Sequence, residues 1–167
     1  MKTFLQPLQN LAEMEEIQKQ AKKNRGILEI SGCMESQKAH LMYGLSGLFP
    51  SHLVIAADEK TAKDLYEDYR FYDKRVYYYP AKDLLFFQAD IHGNLLIRQR
   101  MQVIRALLER QEEITVVTSI DGCMDYLLPL EKIEKQLIHF RNDSSLDMDK
   151  LTAALVHMGY AVSYTHL

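Results

Sequence analysis

Apolar residues recur at helical spacing from the start of the chain. Leu8, Leu11, Met14 and Ile17 form one such stripe, which leads into the basic sequence KKNR. Cations are favourable at the C-terminus of a helix, and Gly26 suits the position that follows it. The pattern predicts a first helix that ends at Gly26.

Four short segments rich in β-branched and aromatic residues predict strands. They are GILEIS at 26–31, HLVIAA at 52–57, RVYYYP at 75–80 and ITVVTS at 114–119. A continuous apolar run such as HLVIAA is typical of a parallel strand covered on both faces. Pro80 ends the third predicted strand.

Amphipathic stretches separate the predicted strands. Asp58 is a good N-cap for one helix, and the longest helix is predicted to start near Asn94, after an extended loop over residues 81–92. A short helix is predicted from Cys123 to Leu128, before Pro129. The expected buried stripes are Leu41, Leu45 and Leu48; Ala62, Leu65, Tyr66 and Tyr69; and Ile97, Met101, Ile104 and Leu108, with Leu96, Val103 and Leu107 beside them. The alternation predicts an α/β fold in which a parallel sheet has helices on both faces.

The pattern changes after about residue 134. KQLIHFRN predicts a strand at 135–142, and SSLDMDKLTAALVHMGY predicts a helix that Ser145 or Asp147 caps and Gly159 ends. AVSYTHL resembles the start of another strand. We therefore predict a first domain over residues 1–133 and the beginning of an incomplete α+β domain over residues 134–167.

Composition narrows the classes of function. The chain is 47% hydrophobic and 26% charged, with a net charge of −3, as in ordinary globular proteins. This balance argues against a dedicated nucleic-acid surface. Neither a membrane span nor a signal peptide is evident. The separated Cys33 and Cys123 suggest buried or half-buried thiols in a reducing, cytoplasmic compartment. The six histidines show no metal-binding spacing.

The segment after the first predicted strand lies where an α/β domain would hold a phosphate-binding loop. Gly32 and Lys38 match the pattern GxxxxGK[ST], but Gln37 replaces the second glycine and Ala39 replaces the Ser/Thr. Gln37 restricts the close backbone approach, and Ala39 lacks the hydroxyl that holds Mg²⁺. Glu35 adds negative charge. We predict a vestigial loop that binds no nucleotide, with no catalytic residue, cofactor or metal.

Several segments together carry a family resemblance. SGCMESQKAH at 31–40, the segment at 52–72, the segment at 77–109 and ITVVTSIDGCMDYLLP at 114–129 resemble, in order and spacing, the N-terminal region of the transcription-repair coupling factors (Mfd). That region is similar to the first domains of the excinuclease component UvrB. The resemblance covers roughly residues 5–160.

The resemblance implies a RecA-like domain that has lost nucleotide binding, followed by an inserted domain that docks on the excinuclease component UvrA. The full protein would be an ATP-driven DNA translocase whose ATP and Mg²⁺ sites lie in motor domains beyond residue 167. Arg141, Lys150, His157 and Tyr160 are the candidate protein-binding residues, chosen by their position in the second domain. The chain departs from the family after Tyr160, which suggests a truncated fragment.

Two other hypotheses remain open. One is a small P-loop-like ATPase with an unusual loop, against which Gln37 and Ala39 argue. The other is the N-terminal part of UvrB itself, which should keep an intact GxxxxGK[ST]. Arg100 is either an interface residue or, as we favour, a snorkelling or salt-bridged arginine at a helix boundary. The tyrosines at 77–79 are more consistent with core and rim packing than with base stacking.

Overall fold

The computed structural model describes residues 4–23, 26–82, 90–109, 113–138 and 147–161, without the side chains of residues 90–94. The chain divides into two compact units, residues 1–134 and 135–167. The described helices are α1 Gln6–Gln9, α2 Ala12–Lys23, α3 Glu35–Ser46, α4 Glu59–Tyr69, α5 Asp90–Leu108, α6 Ile120–Cys123, α7 Leu130–Glu134 and α8 Met148–His157. The described strands are β1 Ser51–Ala56, β2 Val76–Tyr79 and β3 Ile114–Ser119.

The three strands form one parallel sheet in the order β1-β3-β2. Val54 of β1 and Tyr78 of β2 are both level with Val117 of the central strand. The chain is therefore a mixed α/β protein with a small parallel sheet flanked by helices, which confirms this much of the predicted fold.

Each face of the sheet has its own apolar cluster. One cluster joins α3 and α4 to the sheet through Ala39, Tyr43, Ala62, Tyr69, Val76, Tyr78 and Val117. The other joins α5 to the opposite face through Val103, Leu107, Ile114, Val116, Tyr77 and Tyr79. Alternation along β2 thus sends Tyr78 to one face and Tyr77 and Tyr79 to the other, as predicted.

The predicted strand at residues 26–31 is wrong. These residues form no strand, and the side chain of Ile27 is 95% exposed. β-propensity expresses the packing of a side chain on a pleated surface, and the sheet of the described residues contains only β1, β2 and β3. Without pairing or packing, the apolar pattern of this segment does not produce a strand.

The predicted two-sided burial of β1 is also wrong. Its residues alternate, and Leu53 and Ile55 are 62% and 52% exposed. In the sheet formed by the described residues β1 is an edge strand, and the apolar cluster under α5 includes β2 and β3 instead. β3 is the strand with the predicted burial, because every one of its residues is buried.

Three helical predictions need correction. On α3 the buried residues are Ala39 and Tyr43, whereas the predicted stripe is only half-buried. The longest helix begins at Asp90, four residues before the predicted Asn94, and turns its predicted residues Ile97 and Met101 outward. The short helix ends at Cys123 instead of beginning there. In the first two cases the tertiary contact selects a neighbouring stripe of the same helix.

The second unit contains the predicted capped helix. The carboxylate of Asp147 accepts hydrogen bonds from the backbone of Asp149 and Lys150, and Gly159 has the positive φ that ends a helix. The described part of the predicted strand at 135–142, residues 135–138, forms a turn and coil. Residues 139–142 and 162–167 lie outside the described residues, and so does the alternative cap Ser145.

Two further predictions concern the burial of the cysteine thiols and the absence of a membrane-spanning helix. Cys33 is half-buried as predicted, but Cys123 is exposed, because it lies at the end of the short surface helix α6. Among the described helices, none is both long enough and apolar enough to span a membrane.

Gly122 provides a test of the close packing at the end of β3. A Cβ at this position would contact the Thr118 hydroxyl and lie 3.2 Å from the carbonyl oxygen of Tyr79. These two groups already share a 2.7 Å hydrogen bond. We expect Gly122→Ala to lower the free energy of unfolding by about 1–3 kcal/mol in urea denaturation followed by circular dichroism.

Gly47 is the matched control for this substitution. Its φ is −72°, and no described atom lies within 4 Å of an added Cβ. Gly47→Ala should leave the free energy of unfolding unchanged or raise it by up to about 1 kcal/mol. Equal losses in the two variants would contradict the packing at Gly122.

Candidate functional site

Ligands of parallel α/β sheets bind outside the carboxyl ends of the strands. Here β1 leads into Asp58, whose carboxylate oxygen accepts a 2.7 Å hydrogen bond from the backbone N–H of Thr61 and caps α4. The cap places Glu59 at the first position of α4, beside the ends of the other two strands. Glu59 is therefore an acidic side chain that lies at this edge of the sheet.

The Glu59 carboxylate is held by three donors. One oxygen accepts from the Tyr78 hydroxyl and, at 3.1 Å, from the backbone N–H of Ala81. The other oxygen accepts from the Ser119 hydroxyl at 2.5 Å. Hydrogen bonds to an ionised group are about twice as strong as those between neutral groups, so this cluster ties α4 to the ends of β2 and β3.

The groups around Glu59 are themselves fixed. Ser119 Oγ also accepts from the backbone N–H of Gly122 at 3.0 Å, as the N-cap of α6. Burial, with the hydrogen bond to Glu59, raises the pKa of Tyr78 above its ordinary value. The Tyr78 hydroxyl therefore stays protonated at neutral pH and acts as a donor rather than as a base.

A second cluster lies beside the first. The buried guanidinium of Arg100 donates to the carbonyl oxygen of Pro80 and to the Asp125 carboxylate, each at 2.7 Å. It also donates to the Tyr79 hydroxyl at 2.5 Å and lies 4.1 Å from the centre of that ring. These contacts confirm the predicted salt bridge of Arg100, but the residue is buried within α5 and lies at no helix boundary. The contacts connect α5 with the end of β2.

The four residues of the predicted vestigial loop are all described. Gly32 has a φ of +81° and lies in coil, with no strand before it. Gln37 lies in the first turn of α3, and its side-chain oxygen accepts from the backbone N–H of Met34 at 3.1 Å. The side chain thus satisfies a free N–H at the helix start, a group that a phosphate would bind in a working loop.

The two residues after Gln37 are also engaged. Lys38 Nζ donates to Glu35 Oε1 at 2.6 Å, in an exposed ion pair. Ala39 is 0% exposed and belongs to the apolar cluster under α3 and α4. A Ser or Thr hydroxyl at this position would be buried in that core, away from any Mg²⁺. The loop as it stands does not fit a nucleotide with its metal ion.

The protein-binding candidates of the second unit lie on or beside α8. Lys150 is exposed in the first turn, and its ammonium lies 3.4 Å from the Asp147 carboxylate. His157 is the last residue of the helix, and Tyr160 is 65% exposed just beyond it. Lys150 and His157 are about 10 Å apart along the helix axis, so these residues form a line rather than a cluster. Arg141 lies outside the described residues.

Sequence reasoning missed Glu59 as a site residue. It assigned Asp58 to a helix cap, which is correct, and predicted no functional carboxylate at the carboxyl end of β1. The signal that could have found Glu59 was its position directly after Asp58, because a cap fixes the direction of the side chain that follows it. Within the described ranges no group of three or more His, Cys, Asp or Glu residues is placed to hold a metal ion.

Removing the charge of Glu59 tests whether its carboxylate holds the edge together. We expect Glu59→Gln to lower the free energy of unfolding by about 1–3 kcal/mol, because one of three donors then faces an amide N–H₂. Glu67→Gln is the control, since Glu67 is exposed on the same helix, and its cost should stay within about 0.5 kcal/mol. Equal stability of the two variants in urea denaturation would show that the cluster contributes nothing.

No protein-family model matches this chain, and no curated protein matches it in sequence. The resemblance to the coupling factors therefore remains a proposal.

Proposed function

We propose that this chain is the N-terminal part of a transcription-repair coupling factor and acts as a non-catalytic protein-interaction module. In this role it helps recruit the excinuclease component UvrA, in the cytoplasm of a bacterium, to lesions where RNA polymerase has stalled. The proposal starts from the ordered resemblance of segments between residues 31 and 129. The parallel sheet and its helices are compatible with the RecA-like domain that the resemblance implies.

The observation that carries the proposal is the state of the loop from Gly32 to Ala39. Gln37 caps its own helix, Lys38 pairs with Glu35, and Ala39 lies in the core. Each of the three side chains has a structural role in place of the corresponding role in a phosphate site, although the exposed Lys38–Glu35 pair is the weakest of the three. This arrangement favours the coupling-factor hypothesis over the small ATPase and over UvrB, both of which require a working loop.

The Glu59 cluster supports the same conclusion. The edge of the sheet at which a nucleotide would bind holds a carboxylate of the chain itself, with donors on both oxygens. A bound triphosphate would bring further negative charge to that carboxylate. The first unit is therefore better suited to a structural and binding role than to nucleotide hydrolysis.

Titration with ATP and Mg²⁺ tests the loss of nucleotide binding. We expect no saturable heat in isothermal titration of the chain up to ~1 mM nucleotide. A dissociation constant of ~1 mM corresponds to a binding free energy of only about −4 kcal/mol. The melting temperature should also stay unchanged, whereas a ligand at 100 times its Kd would add roughly 2.7 kcal/mol of stability. Saturable binding that is lost in Lys38→Ala would overturn the proposal and support the ATPase hypothesis.

Binding to purified UvrA tests the recruiting role. We expect the chain to bind immobilised UvrA in surface plasmon resonance, and the double variant Lys150→Glu, Tyr160→Ala to bind about tenfold more weakly. Lys63→Glu is the control, because Lys63 is exposed on α4 in the first unit. No binding by the wild-type chain, or equal losses in both variants, would contradict the assignment of the interface to the second unit.

A further inference from the structure

The outer edge of β2 lies along a groove in the first unit. The groove has a volume of about 390 Å³, and its walls come from α4 and α5. In the described part of the chain β2 pairs only with β3, so its other edge has no strand beside it. Such an edge is a template for an added strand.

The direction of the backbone groups on β2 follows from one hydrogen bond. The carbonyl oxygen of Arg75 accepts from the backbone N–H of Thr115 at 3.0 Å. In a parallel strand successive residues direct their N–H and C=O groups to alternate edges. Val76 and Tyr78 therefore direct their backbone donors and acceptors to the outer edge, along the groove.

The groove is basic although the chain as a whole carries a net charge of −3. Three cations line it, namely Arg70 and Lys74 beside the end of α4 and Arg105 on α5. Among the described residues that line the groove, the one acidic residue is Glu109, which accepts a 2.7 Å hydrogen bond from Arg105. The groove therefore keeps an excess of positive charge beside a strand edge.

We propose that this groove binds an extended, acidic segment of a partner protein, which adds to β2 as a further strand. The backbone of the segment pairs with Val76 and Tyr78, and its carboxylates face Arg70, Lys74 and Arg105. Strand addition takes its affinity from main-chain hydrogen bonds and its selectivity from side chains on the walls. The inference rests on the proposed function in treating the chain as a protein-binding module, and it assigns the first unit a surface of its own.

The aromatic residues of the groove favour a peptide over a nucleic acid. The ring of Tyr66 is stacked with Tyr78 at 5.4 Å and is contacted by the guanidinium of Arg70 at 5.3 Å. Bases bind to such surfaces by stacking on aromatic faces, and these rings are already packed against each other and against a cation. Backbone donors and acceptors at a strand edge are the groups that an extended peptide requires.

The probe is a fluorescein-labelled peptide of alternating glutamate and valine, roughly ten residues long, titrated by fluorescence anisotropy at about 0.15 M salt. We expect saturable binding that the double variant Arg70→Glu, Arg105→Glu weakens about tenfold or more. Lys63→Glu leaves it unchanged, because Lys63 is exposed on α4 but does not line the groove. A matched lysine–valine peptide does not bind.

Backbone methylation separates strand addition from charge attraction. Two further probes carry N-methyl groups on the odd or on the even residues, and only one set can face the edge of β2. We expect one methylated peptide to lose binding and the other to keep it. Equal binding by both methylated peptides overturns the strand-addition proposal.

Two further outcomes of the peptide titration would contradict the proposal. The absence of saturable binding by the acidic peptide overturns the proposal, and so does displacement of the peptide by a single-stranded oligonucleotide that binds more tightly. Arg70→Glu, Arg105→Glu should leave UvrA binding unchanged, because the proposed UvrA residues belong to the second unit. If the wild-type chain binds UvrA but does not bind the acidic peptide, only the proposal for the groove is contradicted. If the wild-type chain does not bind UvrA, the proposed function is contradicted.

Discussion

The pairing of β3 with both β1 and β2 is the constraint on which the first unit depends. β3 is the central strand, all six of its residues are buried, and both apolar clusters include its side chains. Its buried polar residues are satisfied by other elements: Thr118 donates to the carbonyl oxygen of Tyr79, and Thr115 donates to the Tyr69 hydroxyl. The packing of α4 and α5 follows, because each helix covers one face of the same strand.

The carboxyl edge of the sheet follows from this arrangement. Parallel strands end side by side, so the residues after β1, β2 and β3 must satisfy their polar groups together. Glu59 and Arg100, which carry opposite charges, provide hydrogen-bond partners for these polar groups. Glu59 binds donors from the ends of β2 and β3, while Arg100 binds the carbonyl oxygen of Pro80 and the carboxylate of Asp125. These two side chains thereby connect α4 and α5 to the ends of β2 and β3.

Local signals in the sequence predicted the elements well where one residue determines the geometry. Asp58, Asp147 and Gly159 lie at the helix ends that their side chains or backbone preferences favour. Predictions of burial from the sequence were wrong where burial depends on the order of the strands in the sheet. HLVIAA and ITVVTS both have the short, β-branched character of a strand, yet among the described strands one is at the edge with exposed residues and the other is central. Glu59 was missed for a related reason, because its three partners lie at the ends of two different strands, β2 and β3.

The loop at residues 32–39 and the edge at Glu59 share one physical feature, namely that a carboxylate of the chain occupies the donors. Glu35 binds the ammonium of Lys38, and Glu59 binds Tyr78, Ser119 and Ala81. An anion that belongs to the chain loses no translational freedom when it binds, whereas a free nucleotide loses several kcal/mol or more of it. A nucleotide would also have to leave these carboxylates without their donors, which costs further free energy. Under the proposed function, the loss of nucleotide binding needs no gross distortion of the fold, because a few side chains that complete their own hydrogen bonds are sufficient.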